Sequence, residues 1–392
     1  MKAVTLVILS AMITSFGAIR AGDKDKKLDL LVQQALDHAR VQLLRSVEQI
    51  GDSVMYPRST NPNGSWRKVA PEDWTSGFFP GLLWYMYEYT RDVQFRNAAE
   101  RFTEGLERLQ HFPRTHDLGF MVFNSYGQGY RLHPNEKYKN VILQTAKTLT
   151  SRFNPTVGCI KSWDNPKWEY PVIVDNMMNL ELLLWVAKNG GPKEYYDLAI
   201  SHADKTIQNH FRDDGGTFHV VSYDTTNGDV RVKNTHQGFA DHTTWARGQA
   251  WAIYGYTMTY RFTKEKRYLD AARKAADYFL KHLPCDHVPY WDFQAPGIPV
   301  EPRDASASAI VASALFELSG YVQKKDREGY LNAAKNILTA LSEKPYISTG
   351  TLSSGILNHA TGNRPGGTEI DVSLIYGDYY FVEALLRYQN LK

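Results

Sequence analysis

Two aspartates stand among apolar residues, where a carboxylate can serve as an acid. Asp117 lies in His116-Asp117-Leu118-Gly119-Phe120, and Asp175 in Ile173-Val174-Asp175-Asn176-Met177. Removing water from a carboxylate penalises its charged form and raises its pKa toward the value a general acid needs near neutral pH. Two such groups facing one cavity are the minimum equipment for breaking a glycosidic bond. Aspartate is also favoured as a helix N-cap, and for either residue alone that assignment has the stronger claim. The matching apolar settings bring catalysis level with it.

Other chemistry-bearing residues fall nearby. Arg247 sits four residues before Trp251 in Thr244-Trp245-Ala246-Arg247-Gly248-Gln249-Ala250-Trp251. On a helix that spacing puts a guanidinium and an indole on one face. Arginine offers a planar fork for a carboxylate, and tryptophan a platform for a sugar ring; a cation–π pair within the core is the competing arrangement. Trp74 opens the cluster Trp74-Thr75-Ser76-Gly77-Phe78-Phe79-Pro80-Gly81, and Thr235 and Gln237 flank His236. The histidines His116, His219, His236 and His242 form no H-E-x-x-H pair and have no paired cysteines beside them, so no metal is expected. His219 and His236 are better read as neutral hydrogen-bond partners. Neither G-x-G-x-x-G nor a Walker loop is present, and no cofactor is expected; G-x-S-x-G is missing too.

Helices must position these groups. Amphipathic stretches near 28–50, 94–111, 135–152, 193–210, 266–282 and 326–342 alternate with more apolar, Gly- and aromatic-rich stretches near 75–91, 117–128, 173–188, 243–261, 304–321 and 371–389. A helix with one apolar stripe covers a core, whereas one apolar nearly all round lies inside it. Six such pairs predict an all-α fold, a single (α/α)6 barrel of six inner and six outer helices. The outer members share an aromatic followed by small residues, as in Tyr268-Leu269-Asp270-Ala271-Ala272, but at unequal spacing, which excludes a fixed-period solenoid. The candidate residues fall at the starts of the inner stretches, around one mouth. Residues 215–233 alternate like a β-hairpin with Asn227-Gly228 at its turn, a small hairpin near that mouth.

Composition sets the outer limits. Of the 392 residues, 13% are aromatic and 22% charged, with a net charge of +3. That excludes a mostly disordered chain and argues against a nucleic-acid binder. Residues 1–21 have the layout of a signal peptide, with Lys2, an apolar run and small residues ahead of Gly22-Asp23-Lys24. Cleavage after Gly17 or Ala21 fits. The expected mature protein is a single catalytic domain over 22–392, exported to the periplasm or secreted, with no membrane anchor. Cys159 and Cys285 are expected to be two buried thiols rather than a bridge. Oligomeric state is not legible.

At these clusters the sequence resembles the unsaturated glucuronyl hydrolases, glycoside hydrolase family 88. The resemblance runs from about Asp29 to Tyr388 and is most specific in H-D-L-G-F, V-D-N-M-M-N, T-H-Q-G, T-W-A-R-G-Q-A-W and S-L-I-Y-G-D-Y-Y. It implies an (α/α)6 barrel acting on oligosaccharides, left by polysaccharide lyases, that end in a 4,5-unsaturated uronic acid. It also implies a hydration mechanism, with protonation at C4 and water addition at C5 of the vinyl ether. By resemblance Asp175 is the acid, and Asp117 the second carboxylate that holds ring hydroxyls. Thr235, Gln237, Arg247, Trp251, His219, Trp74 and Trp163 match substrate-binding positions, with Arg247 as partner of the uronate carboxylate. Relatives that prefer sulfated sugars carry Ser and Lys in the loop before the last helix. Here that loop is Asn358 to Glu369, with Arg364.

The leaving sugar stays open among chondroitin, hyaluronan, heparin and ulvan fragments. Three other readings stand beside this one. They are an unsaturated rhamnogalacturonyl hydrolase acting on pectin fragments, a non-catalytic sugar-binding barrel, and a lyase.

Overall fold

The computed structural model describes residues 21–391, with side chains from residue 25. The expected leader lies, but for its last residue, outside them. Among the described residues the helices are α1 (Ala21–Ile50), α2 (Phe78–Thr90), α3 (Val93–Glu104), a π-helical segment (Gly119–Gly127) running into α4 (Gln128–Leu132), α5 (Glu136–Thr150), α6 (Asn176–Lys188), α7 (Glu194–His210), α8 (Ala246–Thr263), α9 (Lys266–His282), α10 (Ala305–Ser319), α11 (Lys324–Ser342) and α12 (Ile375–Gln389).

The inner members close a ring: α2 packs on the π segment, then α6, α8, α10 and α12 follow, and α12 returns to α2. Helices α1, α3, α5, α7, α9 and α11 lie outside, and the molecule is the (α/α)6 barrel that the alternation of stripes predicts. The burial patterns explain the division. In α10 every residue but Glu317 is buried, and in α8 every residue from Ala246 to Thr259 is. In α9 only one face is buried, carrying Tyr268, Ala271, Ala272, Ala275, Ala276 and Phe279. Burying side chains of this kind contributes about 1.5–3 kcal/mol for each large apolar residue.

Close approach at the mouth depends on glycine. A Cβ on Gly77 would sit 2.2 Å from the Phe120 carbonyl oxygen, and one on Gly119 would sit 2.7 Å from Asn179 Oδ1. Those two gaps let the π segment lie against both α2 and α6.

Short antiparallel sheets decorate the mouth. They pair β1 (Tyr56–Thr60) with β2 (Trp66–Val69), β3 (Phe153–Asn154) with β4 (Cys159–Ile160), and β5 (Tyr170–Ile173) with β6 (Val220–Tyr223), which pairs in turn with β7 (Val230–Asn234). The expected hairpin is thus β6–β7, but a third strand extends it and residues 224–229 join it. A two-residue type I′ turn needs both central residues left-handed; here Gly228 is (φ +76°) and Asn227 is not. The cysteines depart from expectation too. Both are free, but Cys159 is buried and Cys285 exposed. No described helix is long and apolar enough to cross a membrane.

Candidate active site

The three-stranded sheet brings the first carboxylate to its neighbours. Ile173 pairs with Val220, and Val220 with Asn234. The chain one step beyond each partner therefore meets at one point: Val174–Asp175, His219, and Thr235 with His236. Val174 N–H donates to the His219 carbonyl at 3.1 Å. Asp175 occupies the N-cap position of α6 but its side chain makes no cap hydrogen bond. Among the described residues its Oδ2 atom is buried without a hydrogen-bond partner, 3.7 Å from His219 Nε2, which has none either. The backbone N–H groups of His236 and Gln237 both donate to His219 Nδ1, at 3.2 and 3.1 Å. An accepting Nδ1 leaves the proton of a neutral ring on Nε2. Burial, with His236 and Arg247 nearby, holds this imidazole well below its ordinary pKa, so a neutral N–H faces Asp175.

The second carboxylate repeats the device. Phe120 N–H donates to Asn179 Oδ1 at 2.8 Å, which turns Asn179 Nδ2 toward His116 Nδ1 at 3.5 Å. His116 Nε2 then lies 3.2 Å from Asp117 Oδ1. Burial again depresses the imidazole. Asp117 precedes its helix and takes the Thr115 hydroxyl at 2.6 Å rather than a helix N–H. Neither aspartate is therefore a capping residue. A shared anchor links the two segments: Ser162 accepts from His116 N–H through its carbonyl, and its hydroxyl accepts from Ile173 N–H.

Both acids line one pit of about 380 Å³, with Trp74, Trp163, Gln237 and Arg247 among its walls. Burial raises each carboxyl to about 7; the Asp117 charge adds to the rise at Asp175, while Arg247 and the Trp251 indole N–H oppose it. Charge repulsion and desolvation favour the neutral acid, so a proton is available near neutrality.

Some expected contacts fall elsewhere. Trp251 is fully buried, lodged 5.2 Å from Phe120 and 5.5 Å from Tyr380 between ring centroids. It offers no stacking face, because a residue one turn along α8 lies about 5.4 Å deeper than the mouth. Its unpartnered N–H is the part aimed at Asp175. The Arg247 guanidinium lies over Trp245 (4.6 Å) and Tyr376 (5.2 Å), not Trp251. It pairs with Asp304 at 2.8 Å and with the carbonyls of Thr361 and Gly362 at 2.5 Å, leaving only Nε without a partner. Thr235 does not reach the pit; its hydroxyl accepts Gly238 N–H at 2.8 Å and closes the turn. His219 touches Asp175 from behind the wall rather than lining it.

The pit also contains residues the motifs did not mark. Arg58, from β1, grips Glu369 through Nε and Nη2 at 2.7 and 3.1 Å, and reaches Asp73 at 2.6 Å. Nothing in its local sequence, Tyr56-Pro57-Arg58-Ser59-Thr60, distinguishes it. Tyr376 lies within S-L-I-Y-G-D-Y-Y and Glu369 closes the 358–369 loop, so both were within reach of the motif reading. Gly362 and Asn363 of that loop line the pit, while Arg364 is exposed with Glu301 at 3.8 Å. Among the described residues no group of three or more His, Cys, Asp or Glu is placed to hold a metal.

An aromatic-walled pit in the mouth of an (α/α)6 barrel, with two protonatable carboxyls at its base, is the site of a glycosidase of the acid–base type. The chain belongs to glycoside hydrolase family 88: the profile of Glycosyl Hydrolase Family 88 matches residues 47–389. It is 50% identical over 330 residues to an unsaturated glucuronyl hydrolase of Formosa agariphila, covering 83% of this chain and 82% of that one. A second relative, the unsaturated chondroitin disaccharide hydrolase of Streptococcus agalactiae, is 32% identical over 91% of each chain. The crystal structure of an unsaturated glucuronyl hydrolase specific for heparin superposes with a TM-score of 0.90 at 44% identity, covering 93% of this chain and 98% of that one.

Proposed function

We propose that this enzyme removes a 4,5-unsaturated uronic acid from the non-reducing end of lyase-generated oligosaccharides of the glycosaminoglycan type. The observation that carries the reading is Asp175. It holds an N-cap position without capping, burial raises its carboxyl to about 7 so that it can still carry a proton near neutrality, and a neutral imidazole N–H faces it. Asp175 gives its proton to C4 of the vinyl ether, leaving an oxocarbenium ion at C5. Water adds at C5 and returns a proton to Asp175. The hemiketal then opens by breaking C5–O5, leaving a ketone at C5 and a hemiacetal at C1. The hemiacetal collapses to an aldehyde as the C1–O bond to the next sugar breaks, and that sugar leaves as an alcohol, taking up the hydroxyl proton. Asp117 orients ring hydroxyls, and Trp74 and Trp163 wall the sugar. Gln237 and the field of Arg247 favour the uronate carboxylate, aided by the inner-helix N-termini that converge on the mouth.

The names of the relatives, which include glucuronyl, chondroitin disaccharide and heparin-specific hydrolases, support a glycosaminoglycan fragment as substrate. The layout of residues 1–21 supports export to the periplasm or the medium, with 22–392 as one catalytic domain. The deciding experiment follows the ultraviolet absorbance of the unsaturated ring over a panel of lyase digests. Consumption of glycosaminoglycan disaccharides, with a loss of at least about a hundredfold in kcat for Asp175→Asn, is expected. Turnover of pectin-derived disaccharides alone would replace this reading with the rhamnogalacturonyl one, and undiminished Asp175→Asn activity would remove Asp175 from its role.

A further inference from the structure

A second cavity, of about 490 Å³, opens at the other end of the barrel, among the C-terminal turns of the inner helices. It is of the size and aromatic–polar make-up of small-molecule sites. Phe120 lines both cavities, so they stand back to back along the barrel axis.

One wall is aromatic. The half-buried Trp185 ring lines the cavity, 5.7 Å from Phe123 and 5.5 Å edge-on from Tyr130. The charged residues of the lining are already paired. Arg131 holds Glu88 at 2.5 Å, Arg261 holds Glu181 at 3.1 Å, and Arg387 lies 3.5 Å from Glu383, which also accepts from the Tyr85 and Tyr254 hydroxyls at 2.8 and 3.0 Å. An anionic ligand would have to break one of these pairs and leave a partly buried carboxylate unpaired, which is costly. A ligand that brings hydroxyls rather than charge meets no such cost. One donor is free for it: Asn124 Nδ2 has no partner among the described residues, whereas Gln128 Nε2 is engaged by the Tyr85 and Tyr379 hydroxyls at 3.0 and 3.3 Å.

We propose that this lower cavity is a second binding site, for an uncharged mono- or disaccharide, stacked on Trp185. Phe120, Phe123 and Asn124 belong to the π-helical segment that continues from Asp117, and π-helical turns recur at functional positions. A sugar bound below therefore rests on the same segment that presents one of the two acids above. The site is independent of what the upper pit cleaves.

Calorimetric titration tests it on Asp175→Asn protein, which blocks turnover, with N-acetylglucosamine and cellobiose as uncharged probes and glucuronate as the charged control. Millimolar binding of the uncharged probes is expected, unchanged by Trp163→Ala in the upper pit and weakened at least about tenfold by Trp185→Ala. Glucuronate binding should ignore Trp185→Ala. Thermal unfolding by circular dichroism verifies that Trp185→Ala is folded, and Asn124→Leu serves as an independent block if it is not. No uncharged-sugar binding by about 50 mM, or binding that follows Trp163 instead of Trp185, would overturn the proposal.

Discussion

His219 presents Nε2 to Asp175 Oδ2 at 3.7 Å, and neither atom has another partner among the described residues. The gap is too long for a direct hydrogen bond and short enough for a small shift of the Asp175 side chain toward the ring to form one. With Nδ1 tied to two backbone N–H groups, the ring cannot turn away. A His219→Ala variant should therefore lose roughly ten- to a hundredfold in kcat, the scale of a positioned acid–base partner, with little change in KM. Steady-state kinetics on an unsaturated disaccharide decide the matter, and a change confined to KM would make His219 a binding residue only.

The pH–rate profile should fall on its alkaline side. Asp175 must carry the proton it gives to C4, and its carboxyl titrates at about 7; kcat should drop about tenfold per pH unit above that point. Because the Asp117 charge helps raise Asp175, Asp117→Asn should move this limb to lower pH as well as slow the reaction. A limb that stays in place would uncouple the two acids.

Stability follows the same groups with a definite sign. An unfolded aspartate titrates near 4 and Asp175 in the folded chain at about 7. Between those values the folded state holds the extra proton, so stability falls as pH rises from about 4 to about 7 and stays lowered above. Asp175→Asn removes that loss. It should melt at or above the parent at about pH 8 and lose its advantage near pH 4, as differential scanning calorimetry across pH will show.

Trp251 and Trp163 should separate cleanly. Trp251→Ala opens a cavity beneath the pit and should cost about 3–5 kcal/mol in denaturant unfolding. Trp163→Ala removes a wall of the pit and should mainly raise KM, by roughly fivefold for about 1 kcal/mol of ring contact. A Trp251→Ala enzyme with unaltered stability and a raised KM would restore Trp251 as a sugar platform.

Asp304→Ala should strand Arg247, a buried cation, at about 3–5 kcal/mol, visible as a lowered unfolding midpoint. It should also raise KM, since Arg247 anchors the 361–362 carbonyls at the rim.

The barrel was legible in the sequence because alternating one-sided and all-round apolar helices leave few other ways to bury them. The pit was legible as far as the inner-helix starts defined it: Asp117, Asp175, Trp74 and Gln237 meet there. Trp251 and Thr235 lie outside the pit lining, which the motifs could not show, because distance along the chain from a helix start does not say how deep a side chain lies or which way it turns. Arg58 escaped altogether, since only the pairing of β1 and the fold of a loop more than three hundred residues later bring it to Glu369. The tie of Arg247 to Asp304 was equally hidden, because it joins two helix starts far apart in sequence.

That loop, with Tyr376 just after it, comes from the last stretch of the polypeptide. A ribosome that has completed α10 has already made both acids, both histidines and the tryptophan walls, yet no pit. Gly362, Glu369 and Tyr376 arrive as α12 seats against α2 and closes the ring. Completion of the pit and closure of the barrel thus depend on the same stretch, and a chain cut short before residue 359 carries Asp117 and Asp175 but lacks Gly362, Glu369 and Tyr376 from the wall around them.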